Sequence, residues 1–138
     1  IISWKGICIV HDQFNENEII DIRKNNPGIK IIAHPECPPE VIKASDFAGS
    51  TSGMINYVRD NQPKKVMMVT ECSMSDNIQI DNPNVEFIRP CNLCPHMKRI
   101  TLPKILDCLK KETNEIVMSK DIIKKARKSV ERMTEVGR

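Results

Sequence analysis

Aromatic residues are scarce in this sequence, at 4% of its 138 residues. A core must therefore be built from aliphatic side chains and Met, and the aromatic platforms typical of single-stranded nucleic-acid binding are missing. The net charge is only +3, and the densest basic run, residues 120–128, falls on a predicted helix. We interpret that run as a solvated helix face, so we expect no nucleic-acid partner.

Long hydrophobic runs are also lacking, and no signal-peptide pattern is present, so we expect no membrane association. The length suits one globular domain with its own core. The sequence starts at Ile1 rather than Met, with an apolar stretch typical of a domain interior. We therefore expect a piece of a longer protein.

Cysteine is the residue type whose pattern needs most explanation. Long periodic segments can bury a core without disulfides, so we expect a reducing cytoplasm with thiols that are free or metal-bound. The cysteines are Cys8, Cys37, Cys72, Cys91, Cys94 and Cys108.

Short apolar runs alternate with amphipathic segments along the chain. Continuous apolar strands alternating with helices predict an α/β fold, a parallel sheet covered on both faces in three αβα layers, followed by C-terminal helices. Predicted strands are residues 7–10, 29–34, 46–49, 65–70 and 84–88. Predicted helices are residues 15–24, 38–45, 50–61, 73–80, 102–110 and 119–135, the fourth of them short or irregular.

Polar residues follow each predicted strand: His11, then "HPEC", "GSTS", "TEC" and "PCNLC". In a parallel sheet the carboxyl ends of the strands share one edge, and ligands bind there. The sequence therefore predicts a functional site at that edge.

The "CNLC" pair, Cys91 and Cys94, allows three interpretations. A structural zinc site needs four ligands; Cys72 and His96 could complete a set, but the spacing fits no zinc ribbon. A thioredoxin-type redox pair would follow an early strand, whereas this pair follows the last. An iron–sulfur cluster could use Cys8, one member of the pair and a cysteine from outside the chain.

Two further segments could carry chemistry. In "HPEC", Glu36 could act as a general acid–base and His34 could bind a carboxylate or carbonyl; a solvated turn is the competing interpretation. "GSTSG" could bind an anion through Ser50, Thr51 and the following helix N-terminus, although both residues are also ordinary helix caps.

Taken together, these segments resemble the quinolinate synthase family. The segments "WKGICIVHDQF", "AHPECPPEV", "ASDFAGSTSGMINYV" and "CNLCPHMKRITLPKILDCL" occur in that family's order and spacing, and "IIKKARKSVERM" is similar to its last helix. The resemblance covers essentially the whole chain and matches roughly the carboxyl-terminal half of the family's length.

The resemblance implies a fold and an activity. Members have three similar, pseudo-symmetric α/β domains around a central cavity. They condense iminoaspartate with dihydroxyacetone phosphate to quinolinate, on the route to NAD. Their [4Fe–4S] cluster is held by one cysteine from each domain, and its fourth iron acts as a Lewis acid for dehydration. L-aspartate oxidase is the implied supplier of iminoaspartate.

The resemblance also implies the roles of individual residues. Cys8 and Cys94 match two cluster ligands, the third lies outside this chain, and Cys91 matches an extra cysteine. Substrate would be held by the residues His34, Pro35, Glu36, Ser50 and Thr51, with Glu36 and His34 also catalytic.

The resemblance likewise implies domain boundaries. Residues 1–14 would end a preceding domain, residues 15–95 would form the domain that carries substrate and cluster residues, and residues 96–138 would be C-terminal helices packing back on the rest. We expect this piece alone to be inactive. One alternative is a non-enzymatic metal-binding or redox α/β module that uses Cys91 and Cys94. Another is an α/β anion-binding domain that holds no metal.

Overall fold

The computed structural model describes residues 5–90 and 92–137. The chain divides into two compact units, residues 1–99 and residues 100–138. The strands are β1 (Lys30–Ala33), β2 (Phe47–Ala48), β3 (Lys65–Val69) and β4 (Glu86–Ile88). The helices are α1 (Glu16–Asn25), α2 (Pro39–Ala44), α3 (Thr51–Asn61), α4 (Ser73–Asp81), α5 (Leu102–Lys111) and α6 (Lys120–Val136), with short 3₁₀ turns at His11–Gln13 and Met97–Arg99.

The four strands form one parallel sheet in the order β2-β1-β3-β4. Alternate residues face opposite sides of a strand, and the buried side chains separate by this rule. Ile31 and Met67 pack in a cluster with Ile19 of α1 and Val41 of α2. Ile32 and its neighbours on the other face form a second cluster with α3 and α4. The predicted α/β fold with a parallel sheet between two helical layers is confirmed.

Local signals set the helix boundaries close to the predicted ones. The Asn15 side chain accepts a hydrogen bond from the Glu18 amide at the start of α1, and Ser50 accepts one from the Gly53 amide at the start of α3. Each bond satisfies an amide that the first helical turn leaves without a partner. Pro39 occupies the first position of α2, where its missing N–H costs nothing.

The prediction of a strand at residues 7–10 is wrong. Val10 has right-handed helical angles, and the Asp12 amide bonds to the Cys8 carbonyl at 3.0 Å. The segment therefore uses local hydrogen bonds and enters the 3₁₀ turn instead of a sheet ladder. Val10 is buried and belongs with Phe14 to the first cluster, whereas Ile7 and Ile9 are exposed.

The unit formed by residues 100–138 contains α5 and α6. Thr101 caps the first helix and Ser119 caps the second. Neither these helices nor any other described helix combines the length and apolarity needed to cross a bilayer.

Asp46 ties the edge strand to the sheet. Its Oδ2 accepts hydrogen bonds from the Ile31 amide at 2.8 Å and from Arg23 Nη2 at 2.7 Å, and its Oδ1 lies 3.4 Å from Lys30 Nζ. Burial alone would raise the pKa of this carboxyl. The amide and the two cations outweigh that effect and hold the pKa below its ordinary value of 3.8.

We expect Asp46→Asn to lower the free energy of unfolding by about 1–2 kcal/mol at neutral pH, because hydrogen bonds to a charged acceptor are lost. A carboxyl with a depressed native pKa stabilises the fold above its unfolded pKa, and this stabilisation is lost as pH falls through the native value. The difference in unfolding free energy between Asp46→Asn and the wild type should therefore become smaller in acid. Urea unfolding of the intact protein at several pH values measures it. Asp60→Asn, at an exposed residue that pairs with its neighbour Arg59, is the control and should leave the unfolding midpoint unchanged.

Candidate active site

Two stacked imidazoles lie at the carboxyl edge of the sheet. The rings of His11 and His34 are 4.4 Å apart between centroids and inclined by 8°. His34 directly follows β1, and its amide donates to the Val69 carbonyl of β3 at 3.2 Å. His11 comes from the 3₁₀ turn and is only 7% exposed. The fold therefore brings together two rings that are 23 positions apart in the chain.

Both nitrogens of His11 have partners. Nδ1 lies 3.1 Å from Glu36 Oε2, and Nε2 lies 3.0 Å from the Thr70 hydroxyl. An ionised carboxylate only accepts, so Nδ1 carries the proton toward Glu36 and Nε2 accepts from Thr70 when the ring is neutral. Burial lowers the pKa of His11 and the neighbouring His34 lowers it further, while Glu36 opposes both.

Glu36 is the exposed member of this group. Its side chain is 60% exposed, and Oε2 also lies 3.7 Å from His34 Nδ1. The His34 carbonyl accepts from the Cys37 amide at 3.0 Å and closes the turn that contains Pro35. The carboxylate is thus held beside both rings and remains open to a ligand.

A cavity of about 420 Å³ extends from these residues. Thr51, Thr70 and Glu71 add polar groups to the wall that His11, His34 and Glu36 begin. The apolar part of the wall consists of Ile55, Met74, Ile78 and Met97. A small polar molecule would meet imidazole, carboxylate and hydroxyl groups on one side and aliphatic surface on the other.

Of the two predicted anion-binding residues, Thr51 lines this cavity. The Ser50 hydroxyl accepts from the Gly53 amide at 3.2 Å and so serves as the cap of α3.

A polar network at the α4 N-terminus was missed by the sequence analysis. Glu71 accepts from the Ser73 amide at 2.8 Å, and Lys98 Nζ donates to Ser73 Oγ at 2.8 Å while lying 4.0 Å from Glu71. The sequence does contain an indication of this network, because Thr70 and Glu71 directly follow β3 and are therefore expected at the sheet edge. Their residue types alone do not assign either one a role.

The thiols differ in their environment. Cys8 and Cys94 are both half-buried and pack against the same buried cluster, on the side of the sheet that carries α1 and α2. Cys37 is buried, donates to the Val69 carbonyl, and has its pKa raised to about 11 by burial. Cys91 lies outside the described residues. Cys8 and Cys94 are therefore accessible thiols packed against one hydrophobic cluster, whereas Cys37 is an inert one.

Metal-ligand atoms also gather around His11. One ligand atom each from Cys8, His11 and Glu36 lie within 4.8 Å of one another. Cys94 is not part of this group among the described residues.

The fold and cavity define an α/β domain that holds a polar site at the carboxyl edge of a parallel sheet, the usual place for small-molecule sites in this class. Residues 1–135 match the family model described as "Quinolinate synthetase A protein". The chain belongs to that family.

Curated relatives agree with this assignment. The chain is 57% identical over 133 residues to a quinolinate synthase of Sinorhizobium fredii, 54% identical over 133 residues to one of Xylella fastidiosa and 47% identical over 136 residues to one of Caulobacter vibrioides. These matches cover 96%, 96% and 99% of this chain. The chain spans 37–39% of the length of these relatives.

The two neighbours of His11 should move its pKa in opposite directions. In the metal-free intact protein we expect His11 to titrate below its ordinary 6.5. Glu36→Gln should lower the pKa further because an attractive charge is lost, and His34→Gln should raise it because a repulsive one is lost. Ring-proton NMR titration measures all three. A wild-type value at or above 6.5 would contradict the burial argument.

Proposed function

We propose that this chain forms part of a quinolinate synthase that condenses iminoaspartate with dihydroxyacetone phosphate to quinolinate, releasing phosphate and water, in NAD biosynthesis. The observation that carries the proposal is the cavity at the sheet edge, whose walls hold His34, Glu36 and Thr51 in a chain that belongs to the family. Both substrates are small, which suits the size of this cavity, and its imidazole and hydroxyl groups can bind their carboxylate and phosphate oxygens.

Glu36 is the group best placed to transfer protons. Ring formation requires proton removal from carbon and nitrogen and protonation of departing hydroxyl groups. Its carboxylate is exposed to the cavity, and His11 donates to it at 3.1 Å. That bond fixes the carboxylate, while the Thr70 hydroxyl fixes the ring of His11 from the other side.

His34 and Thr51 are assigned to substrate binding. His34 can donate to a substrate carboxylate or carbonyl from its place in the stack. Thr51 is the first residue of α3, where backbone amides and the helix dipole favour an anion. Pro35 and Ser50 support substrate binding indirectly. Pro35 belongs to the turn that positions Glu36, and Ser50 caps the helix that begins at Thr51.

The proposed cofactor is a [4Fe–4S] cluster held by Cys8, Cys94 and a cysteine outside this chain. The described residues fit the iron–sulfur cluster, because the thiols of Cys8 and Cys94 form no disulfide, are half-buried and pack against the same group of buried hydrophobic side chains. When bound, such a cluster supplies an iron with an open position that acts as a Lewis acid. Cys37 does not fit as a ligand, because its proton stays on at neutral pH and points to a backbone carbonyl.

Cluster content tests the ligand assignment. The intact protein purified without oxygen should contain iron and acid-labile sulfide. Cys8→Ala and Cys94→Ala should abolish both, and Cys91→Ala should not. A cluster that survives Cys94→Ala and is lost in Cys91→Ala would overturn the assignment. Retention of metal in Cys8→Ala would favour a module built on Cys91 and Cys94.

Glu36→Gln tests the proton-transfer role. The amide keeps the shape of the side chain but cannot exchange a proton at neutral pH, so quinolinate formation should fall by a factor of about 100 or more. Iron content should stay unchanged. Glu40→Gln, on the exposed first turn of α2, is the matched control and should keep full turnover. Near-normal turnover in Glu36→Gln would remove this residue from the mechanism.

A further inference from the structure

The group of Cys8, His11 and Glu36 has the composition of a zinc site as well as a place in the proposed active site. Sulfur, nitrogen and oxygen ligands together suit Zn²⁺, whereas Mg²⁺ and Ca²⁺ require oxygen. Three protein ligands and one open position are the usual set where zinc remains accessible to other molecules.

The distances are close to those of a bound ion. Ligand atoms around a tetrahedral zinc lie about 3.4 Å apart, given metal–ligand distances of about 2.1 Å. His11 Nδ1 and Glu36 Oε2 are already 3.1 Å apart, and Cys8, His11 and Glu36 each offer one ligand atom that lies within 4.8 Å of the other two. Cys8 lies in a segment without helix or strand, so a small shift of its thiol breaks no ladder.

Thr70 supplies a second and independent indication. A histidine that binds a metal nearly always donates its other ring N–H to a nearby acceptor, which fixes the ring and the tautomer. His11 Nε2 already lies 3.0 Å from the buried Thr70 hydroxyl. That hydroxyl donates to Nε2 in the metal-free tautomer and can turn to accept from it when Nδ1 binds an ion.

We propose that the cluster-free protein binds one Zn²⁺ through Cys8 Sγ, His11 Nδ1 and a Glu36 carboxylate oxygen, and that this ion competes with the iron–sulfur cluster for Cys8. Binding displaces the thiol proton of Cys8, while the Nδ1 proton of neutral His11 moves to Nε2, so affinity rises with pH. The zinc site itself does not depend on the proposed function; the competition rests on it.

Metal titration of the intact protein, freed of iron by a chelator, tests the site. Co²⁺ reports binding through its visible absorption, and Zn²⁺ then displaces it in competition with a chromophoric chelator. We expect one ion per chain, with thiolate-to-Co²⁺ absorption that is lost in Cys8→Ser. Mg²⁺ should not compete. No thiolate band in the wild type would overturn the proposal.

Variants separate this site from the cluster thiolates. Affinity for Zn²⁺ should fall by a factor of at least about 10 in His11→Gln and by about 10 in Thr70→Val, the loss typical of a removed outer hydrogen bond. His34→Gln replaces the imidazole that stacks on His11 and is the matched control, because His34 is not one of the three proposed ligands. Its affinity for Zn²⁺ should equal that of the wild type, and so should the affinity of Cys94→Ser. Loss of Zn²⁺ in Cys94→Ser with retention in His11→Gln would show that the cluster thiolates bind it instead.

Cluster reconstitution tests the competition. Prior loading with one equivalent of Zn²⁺ should slow the return of iron–sulfur absorption in the wild type, and have less effect in Thr70→Val. Reconstitution that proceeds equally fast with and without Zn²⁺ would contradict the competition. If the wild type takes up no cluster at all, the proposed function fails, and the Co²⁺ titration still decides the zinc site.

Discussion

The hydrogen bond from the His34 amide, one residue beyond β1, to the carbonyl of Val69, the last residue of β3, closes the parallel pairing of these two strands. That pairing fixes the register in which Ala33 lies beside Val69. It therefore places His34 next to Thr70 at the same edge. A shift of one residue would exchange the side chains that β1 contributes to the two hydrophobic clusters, so the packing of both clusters enforces this register. The geometry of the site follows from core packing.

Much of this arrangement could be predicted from the sequence. Continuous apolar runs identified β1 and β3, and Asn15 and Ser50 marked the starts of helices through their capping hydrogen bonds. The edge at which the polar residues meet followed from the rule for parallel strands. These features depend on neighbours within a few residues, or on alternation along a strand, and both are visible in a linear chain.

Other features depend on contacts that leave no local trace. His11 and Thr70 are 59 positions apart, and nothing in either segment indicates their hydrogen bond. In the 7–10 segment Val10 is buried while Ile7 and Ile9 are exposed, so the apolar composition that suggested a strand belongs here to a turn. The short apolar run therefore predicts a strand where the structure has a turn. The expected position of His11 at the sheet edge is nevertheless correct, because its ring contacts Thr70 directly after β3.

The stacked rings place a constraint on charge at this edge. Two protonated imidazoles at 4.4 Å would repel each other, and His11 is too buried for water to screen the repulsion. Glu36 lies beside both rings and can compensate the positive charge of whichever one becomes an imidazolium ion. One carboxylate thus lies beside two rings, so an ion that enters the cavity and binds Glu36 or a ring changes the charge balance of all three groups.

The segment from Asn92 to Lys98 is attached to the start of α4 at both ends. The Asn92 carbonyl accepts from the Cys72 amide, and the Lys98 ammonium bonds to Ser73. Cys94 lies between these attachments, so its position depends on the length of chain that separates them. In evolution this stretch should tolerate changes of side chain but resist insertions and deletions, whereas the exposed connection between α5 and α6 is free to vary in length.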